Sequence, residues 1–159
     1  MPRRVRPRLP PDWHVTRNPR LWITWAHANR NLTKEGVYWV STSSLDGNPH
    51  AAPVWGVWKR NTFFFETAPD SVKGKNLLSN PRVVVHVQDG LDTVIVEGTA
   101  ARHTDSNDLA GLKRDYLRKY DYSPDWSDES KQVVFKVTPK VVHAWKAPHM
   151  HRSLVNFLF

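Results

Sequence analysis

Arg82-Val83-Val84-Val85-His86-Val87-Gln88, Asp89-Gly90-Leu91-Asp92 and Thr93-Val94-Ile95-Val96-Glu97-Gly98-Thr99-Ala100-Ala101 follow one another without interruption. Both outer runs are rich in β-branched residues, and the Asp-Gly pair between them supplies turn chemistry. They predict two consecutive antiparallel strands. The pattern recurs upstream, where Val37-Tyr38-Trp39-Val40-Ser41-Thr42 reads as a strand and Leu45-Asp46-Gly47-Asn48-Pro49 as its turn. His50-Ala51-Ala52-Pro53-Val54-Trp55-Gly56-Val57-Trp58 reads as the returning strand. Pro53 has no amide to give to a ladder, which places its part of that strand at an edge or a bulge. Thr62-Phe63-Phe64-Phe65-Glu66-Thr67 is the next strand, entered through Lys59-Arg60-Asn61 and broken by Ala68-Pro69-Asp70. Residues 132–137 and 141–145 supply the last two strands.

Helices are few. Residues 21–29 read as a short helix with Trp22 and Trp25 on one face, and residues 71–78 as another that ends at Asn80-Pro81, because a residue before Pro is pushed out of the α region. Residues 105–120 form the one longer helix, presenting Leu109, Leu112, Tyr116 and Leu117 on one side. Short, mostly hairpin-linked strands with few helices between them predict a mainly β protein, a six-stranded antiparallel barrel, and not a βαβ sheet.

The chain has 159 residues, the size of one domain, and enough bulky apolar side chains for a sizeable core. It contains no Cys, which excludes disulfides, thiolate nucleophiles and sulfur-ligated zinc, and points to a cytoplasmic location. No stretch is long and apolar enough to span a bilayer, so membrane insertion is not expected. The formal charge is +8, but before Asn31 seven Arg stand against Asp12 alone, a net of +6 in that segment. The sequence divides into residues 1–30, a basic arm and short helix, and residues 31–159, the barrel. Such an arm is either a solvated terminus or a contact for a polyanion.

Asp70-Ser71-Val72-Lys73-Gly74-Lys75-Asn76 places two cations in the first turns of a helix. A helix N-terminus already carries partial positive charge, so each Lys costs about 0.3 to 1 kcal/mol there unless an anion lies nearby. Free amides, the Ser71 hydroxyl and the Lys73 ammonium would make a phosphate cradle. The alternative is that Asp70 caps the helix and both Lys are merely solvated.

Together these segments resemble the superfamily of pyridoxamine-phosphate oxidases and their FMN or deazaflavin relatives. The residues that carry the resemblance are Asp46-Gly47-Asn48-Pro49-His50, Pro53-Val54-Trp55, Glu66-Thr67, Ser71 and Lys73 with Asn76-Leu77 and Asn80-Pro81, Val96-Glu97-Gly98, and Pro139 six residues before Trp145. The resemblance implies a split β-barrel, homodimeric, with a cofactor in each of two clefts between subunits. It implies that the backbone from His50 through Pro53 and Val54 to Trp55 faces the cofactor ring. It also implies that Thr67, Ser71 and Lys73, with Asn76 beside them, hold the phosphate, and that Trp145 and Arg152 close the cleft.

Departures from the pattern are informative. The true oxidases carry a Lys where this chain has Trp55 and an Arg where it has His50, and Asn156 stands in place of their second C-terminal Arg. Vitamin B6 oxidation is therefore not expected, and the Trp55 context resembles the branch that uses FMN or, with a slight preference here, the deazaflavin coenzyme. The resemblance then implies hydride transfer between the cofactor and a small organic molecule. A non-catalytic carrier of the same cofactor is the second reading, and nucleic-acid binding through the arm a distant third. The cofactor would carry the chemistry, so no catalytic acid or base is assigned, although His50, His86 and Glu97 are candidates. His149 and His151 would share one face of an extended segment near His143, but without a recognisable third ligand no metal is assigned.

Overall fold

The computed structural model describes residues 1–159, the side chain of Pro11 excepted. Its strands are β1 (Arg3–Val5), β2 (Tyr38–Ser43), β3 (Pro49–Val54), β4 (Gly56–Lys59), β5 (Thr62–Thr67), β6 (Arg82–Val87), β7 (Asp92–Arg102), β8 (Val133–Lys146) and β9 (Val155–Leu158). The helices are α1 (Trp25–Lys34), α2 (Val72–Ser79), α3 (Ser106–Tyr120) and α4 (Met150–Ser153). The fold is the antiparallel, mainly β barrel that the sequence predicts, with nine strands among the described residues where six were expected.

The differences from the expected strands have physical causes. At Trp55 the returning strand changes partner: β3 pairs with β2, with Pro53 opposite Trp39, while β4 pairs with β5. Among the described residues β3 has no ladder on its other side, so Pro53 does sit on an edge. The β4–β5 turn places Arg60 at φ 52° and Asn61 at φ 60°, the left-handed pair that a two-residue hairpin requires. In β8 the two expected strands are one, because Pro139 lies opposite Gly98, where a bulge leaves Lys140 as the extra residue. A Cβ on Gly98 would lie 2.3 Å from the Thr138 carbonyl oxygen, so the bulge requires glycine there. Beyond the bulge β8 exchanges partner β5 for β9, and the ring β8-β7-β6-β2-β3/β4-β5 closes with β9 as a flap.

Three expectations are corrected. The arm is not free, since Arg3–Val5 forms β1 on the outer side of β9. The first helix starts four residues later than predicted. Thr24 caps it by accepting from the His27 amide, so Trp22 lies in the extended approach and α1 runs past residue 30 to Lys34. Leu117 is exposed, and the buried face of α3 is Leu112 and Tyr116.

The triplet Phe63-Phe64-Phe65 shows how the interior divides. Strand alternation sends Phe63 and Phe65 into the barrel, where they stack in series with Phe135 at 5.7 Å spacings. Phe64 points outward into a second cluster with Val57, Leu112, Tyr116, Trp126 and Val134, which seats α3 on the outer wall. No described helix is long and apolar enough to cross a membrane.

Candidate functional site

The corner at Trp55, the end of β5 and the start of α2 meet around a cleft of about 360 Å³ lined by Pro53, Val54, Trp55, Thr67, Ser71 and Lys73, together with Glu66, Ala68 and Gln132. Six of the residues singled out in the sequence therefore converge on one volume. That volume lies within the range of small-molecule sites, about 300 to 1,000 Å³. Larger concavities exist, one of about 790 Å³ over the outer face of β2, β6 and β7. The smaller one is the better candidate because its chemistry converges: an aromatic face, an open strand edge, a helix start and a cation.

The start of α2 is built from hydroxyls. Ser71 caps the helix, accepting from the Gly74 amide at 3.1 Å and donating to the Ala68 carbonyl at 2.8 Å, with the Thr67 hydroxyl 3.0 Å away. Asp70 is not the cap. With the Ser71 proton on Ala68, Thr67 donates to Ser71, so both hydroxyl protons are consumed inside the chain. The donors left unspent at this helix start are the Lys73 ammonium, on a residue lining the cleft, and the first-turn amides of Val72 and Lys73, which have no intrahelical acceptor. Gly74 lets α2 approach closely, since a Cβ there would lie 2.5 Å from the Ala68 carbonyl oxygen.

The opposite wall is aromatic. Trp55 is 47% exposed and stacks on Tyr120 with centroids 4.8 Å apart and planes 6° from parallel. The floor carries an unmatched group, for the Oε1 of Gln132 is buried without a hydrogen-bond partner. A buried acceptor left unpaired is costly, and here it borders a ligand-sized space. Glu66 is already engaged, accepting from the indole Nε1 of Trp126.

The remaining predicted residues lie apart from this cleft in one chain. Asn76 is buried and donates to the Thr42 hydroxyl at 3.0 Å, tying α2 to β2. His50 sits on β3 opposite Thr42 and does not line the cleft. Trp145 lines a 710 Å³ cavity beneath residues 5–9, and Arg152 a 430 Å³ cavity with His27, Lys146 and His149. His149 and His151 occupy consecutive helical turns, so the shared face expected of an extended segment does not form. His143 is held at both ring nitrogens, 2.8 Å from Asn156 Oδ1 and 3.1 Å from Glu97 Oε1. His86 lies with Nδ1 2.9 Å from the Val87 carbonyl.

Sequence reasoning missed the last turn of α3. Tyr116 donates to the Trp55 carbonyl at 3.2 Å, and Tyr120 accepts from the Gly56 amide at 3.0 Å and donates to its carbonyl at 2.8 Å. Lys119 donates to that carbonyl and to the Tyr38 hydroxyl, at 2.8 and 2.9 Å. Burial pushes the Lys119 ammonium down to about 8 and the Tyr120 hydroxyl up to about 12. The Tyr116–Tyr120 spacing was a visible signal, but it reads as a packing face.

The fold and cleft define an antiparallel split β-barrel with a candidate ligand site where one strand switches partners. The sequence profile of the pyridoxamine 5'-phosphate oxidase family matches residues 24–146, and the chain belongs to that family. Solved structures share the fold. A conserved hypothetical protein from Mycobacterium tuberculosis aligns with a TM-score of 0.69 at 20% identity, covering 87% of this chain and 91% of its own. An F420 reductase aligns with a TM-score of 0.57 at 21% identity over 71% of this chain and 94% of its own. A heme binding protein from Mycobacterium smegmatis aligns with a TM-score of 0.64 at 19% identity, over 77% and 55%. No curated protein matches the chain.

Proposed function

We propose that the cleft holds a flavin-type cofactor, FMN or a deazaflavin, and that the protein is an oxidoreductase acting on a small organic molecule. The observation that carries this reading is the convergence of Pro53–Trp55, Thr67, Ser71 and Lys73 on one cleft with unspent donors at one end and an exposed ring at the other. The residues fit such a group. Lys73 and the first-turn amides would hold its phosphate, and the open edge of β3 offers alternate backbone groups to the ring edge. The orphaned Gln132 Oε1 offers an acceptor to a ring N–H. When bound, the cofactor supplies the hydride chemistry. The chain's own part is to orient the ring against Trp55, hold the phosphate and exclude water from one face.

Trp55 in place of a Lys and His50 in place of an Arg leave the phosphate of a B6 vitamer without an anchor, so pyridoxamine phosphate is not the proposed substrate. A homodimer completes the account, because Trp145 and Arg152 line other cavities within one chain and would close the cleft of a second copy. The structural neighbour named F420 reductase supports the deazaflavin alternative. A non-catalytic carrier is the second reading, favoured by one observation. Glu66, an acid lining the cleft, is already engaged by the Trp126 indole.

The absorption spectrum of the protein as isolated, followed by titration with FMN, oxidised F420 and heme, separates these readings. Tight binding of FMN or F420 with reduction of an acceptor in a substrate screen supports the oxidoreductase. Tight binding without exchange of hydride to any acceptor supports the carrier, and binding of heme alone overturns both.

A further inference from the structure

The last turn of α3 makes more polar contacts with the strand switch than its seat on the outer wall requires. The α3 cluster of Leu112, Tyr116, Trp126, Val57, Phe64 and Val134 already buries the helix face. Beyond that packing, four hydrogen bonds from three side chains reach two adjacent peptides. Tyr116 bonds the Trp55 carbonyl, Tyr120 bonds both the amide and the carbonyl of Gly56, and Lys119 bonds the Gly56 carbonyl again. Trp55 belongs to neither ladder, since β3 ends at Val54 and β4 begins at Gly56. The carbonyls there and the Gly56 amide therefore take partners from α3 side chains.

The same turn also sets the indole. Tyr120 lies flat beneath Trp55, and Tyr122, just beyond the helix, meets the indole edge-on at 5.8 Å. Lys119 rests over the Tyr38 and Tyr120 rings, 4.7 and 5.1 Å from their centroids. Space at the bend is tight, because a Cβ on Gly56 would lie 2.3 Å from the Phe63 ring and 2.7 Å from the Phe64 carbonyl oxygen. The corner is held from inside by the barrel and from outside by α3.

We propose that Tyr116, Lys119 and Tyr120 are positioning residues which clamp the β3–β4 switch and thereby fix Trp55 as the aromatic wall of the cleft. The clamp determines which planar ligands the cleft accepts, since the wall's angle is set by the Tyr120 ring and its height by the peptide hydrogen bonds. In its bearing on ligand binding this inference rests on the cofactor reading above. In its bearing on Trp55 it stands on the hydrogen bonds alone.

Tyr120→Phe in the full-length chain tests it, because the variant keeps the stacked ring and deletes both bonds to Gly56. The first readout needs no cofactor: exchange of the Gly56 amide and the indole N–H resonance of Trp55, identified by its loss in Trp55→Phe. Loss of these bonds should speed Gly56 exchange and weaken FMN binding by about 5- to 20-fold, with the other indole resonances unmoved. Lys119→Met should give a smaller change in the same direction. Leu117→Ala, exposed on the same turn, should change neither readout. Unaltered Gly56 exchange and an unmoved Trp55 resonance in Tyr120→Phe overturn the clamp. Faster exchange with undiminished FMN affinity overturns its role in the cleft. If the wild type binds neither FMN nor F420, the cofactor reading fails, while the exchange result still decides whether α3 fixes Trp55.

Discussion

The two walls of the cleft are held by opposite means. At the strand switch the backbone is pinned by side chains from a distant helix, and every polar group named there has a partner. At the start of α2 the hydroxyls of Thr67 and Ser71 are spent on the chain itself, while the charge of Lys73 and the first-turn amides stays available. One wall is finished in shape and the other unfinished in charge. Under the proposed function, a site built this way would recognise a planar group by fit and an anionic group by electrostatics, with little overlap between the residues responsible.

Gly56→Ala is the strongest way to break the first wall. Its Cβ would meet the Phe63 ring at 2.3 Å, so the barrel must shift, and stability should fall by about 3 kcal/mol or more, read by denaturant unfolding. The equivalent test at the second wall separates structure from binding. Ser71→Ala removes the cap of α2 and should lower stability by about 0.5 to 2 kcal/mol, with a modest loss of anion affinity. Lys73→Ala should do the reverse. It relieves a cation at a helix N-terminus, leaving stability unchanged or raised by about 0.3 to 1 kcal/mol. Cofactor binding should fall by about tenfold or more, as for a lost charged hydrogen bond. Equal effects of both variants on stability and binding would erase the distinction between the walls.

The smallest expected effect is on pH dependence. Burial lowers Lys119 to about 8, below the roughly 10.4 of an unfolded chain. Between those values the unfolded state binds more protons than the folded one, so stability contributed by this group rises with pH. Below about pH 8 both states carry the charge and the penalty of holding it half-buried is fully present. The wild-type unfolding midpoint should therefore rise relative to that of Lys119→Met between pH 7.5 and 9.5, before the neighbouring tyrosines titrate. A constant difference across that interval would place the Lys119 ammonium in an environment like water.

Much of the barrel was legible because its signals are local. The Asp46-Gly47 turn requires the positive φ that Gly47 adopts, at 83°, and Pro53 could only sit on an edge. Asp105, read as the first residue of the long helix, is its cap, one residue before Ser106. What escaped reading is non-local or carries no alternation. β1 is three residues in an Arg- and Pro-rich arm and exists because β9 offers an edge. Trp22 and Trp25 stand at helical spacing, yet Thr24 between them is the cap, and both rings pack against the core from different segments. Of the candidate site, Ser71 and Lys73 were legible because a helix start has its own chemistry, while Thr67, at the end of a strand, was marked only by the family resemblance. Tyr120 was not legible, since its partner Gly56 lies 64 residues away and is a backbone group with no side chain to mark it.

Whether one end of this cleft takes a phosphate is decided by paired titrations of the wild-type protein with FMN and riboflavin, monitored by quenching of ligand fluorescence. F420 and its phosphate-free deazaflavin core serve as the second pair. The phosphate-bearing member of one pair should bind at least about tenfold more tightly, as expected for a charge-assisted contact, and Lys73→Ala should remove the advantage. Equal affinity of the phosphate-free ring, or an advantage that survives Lys73→Ala, would contradict a phosphate site there.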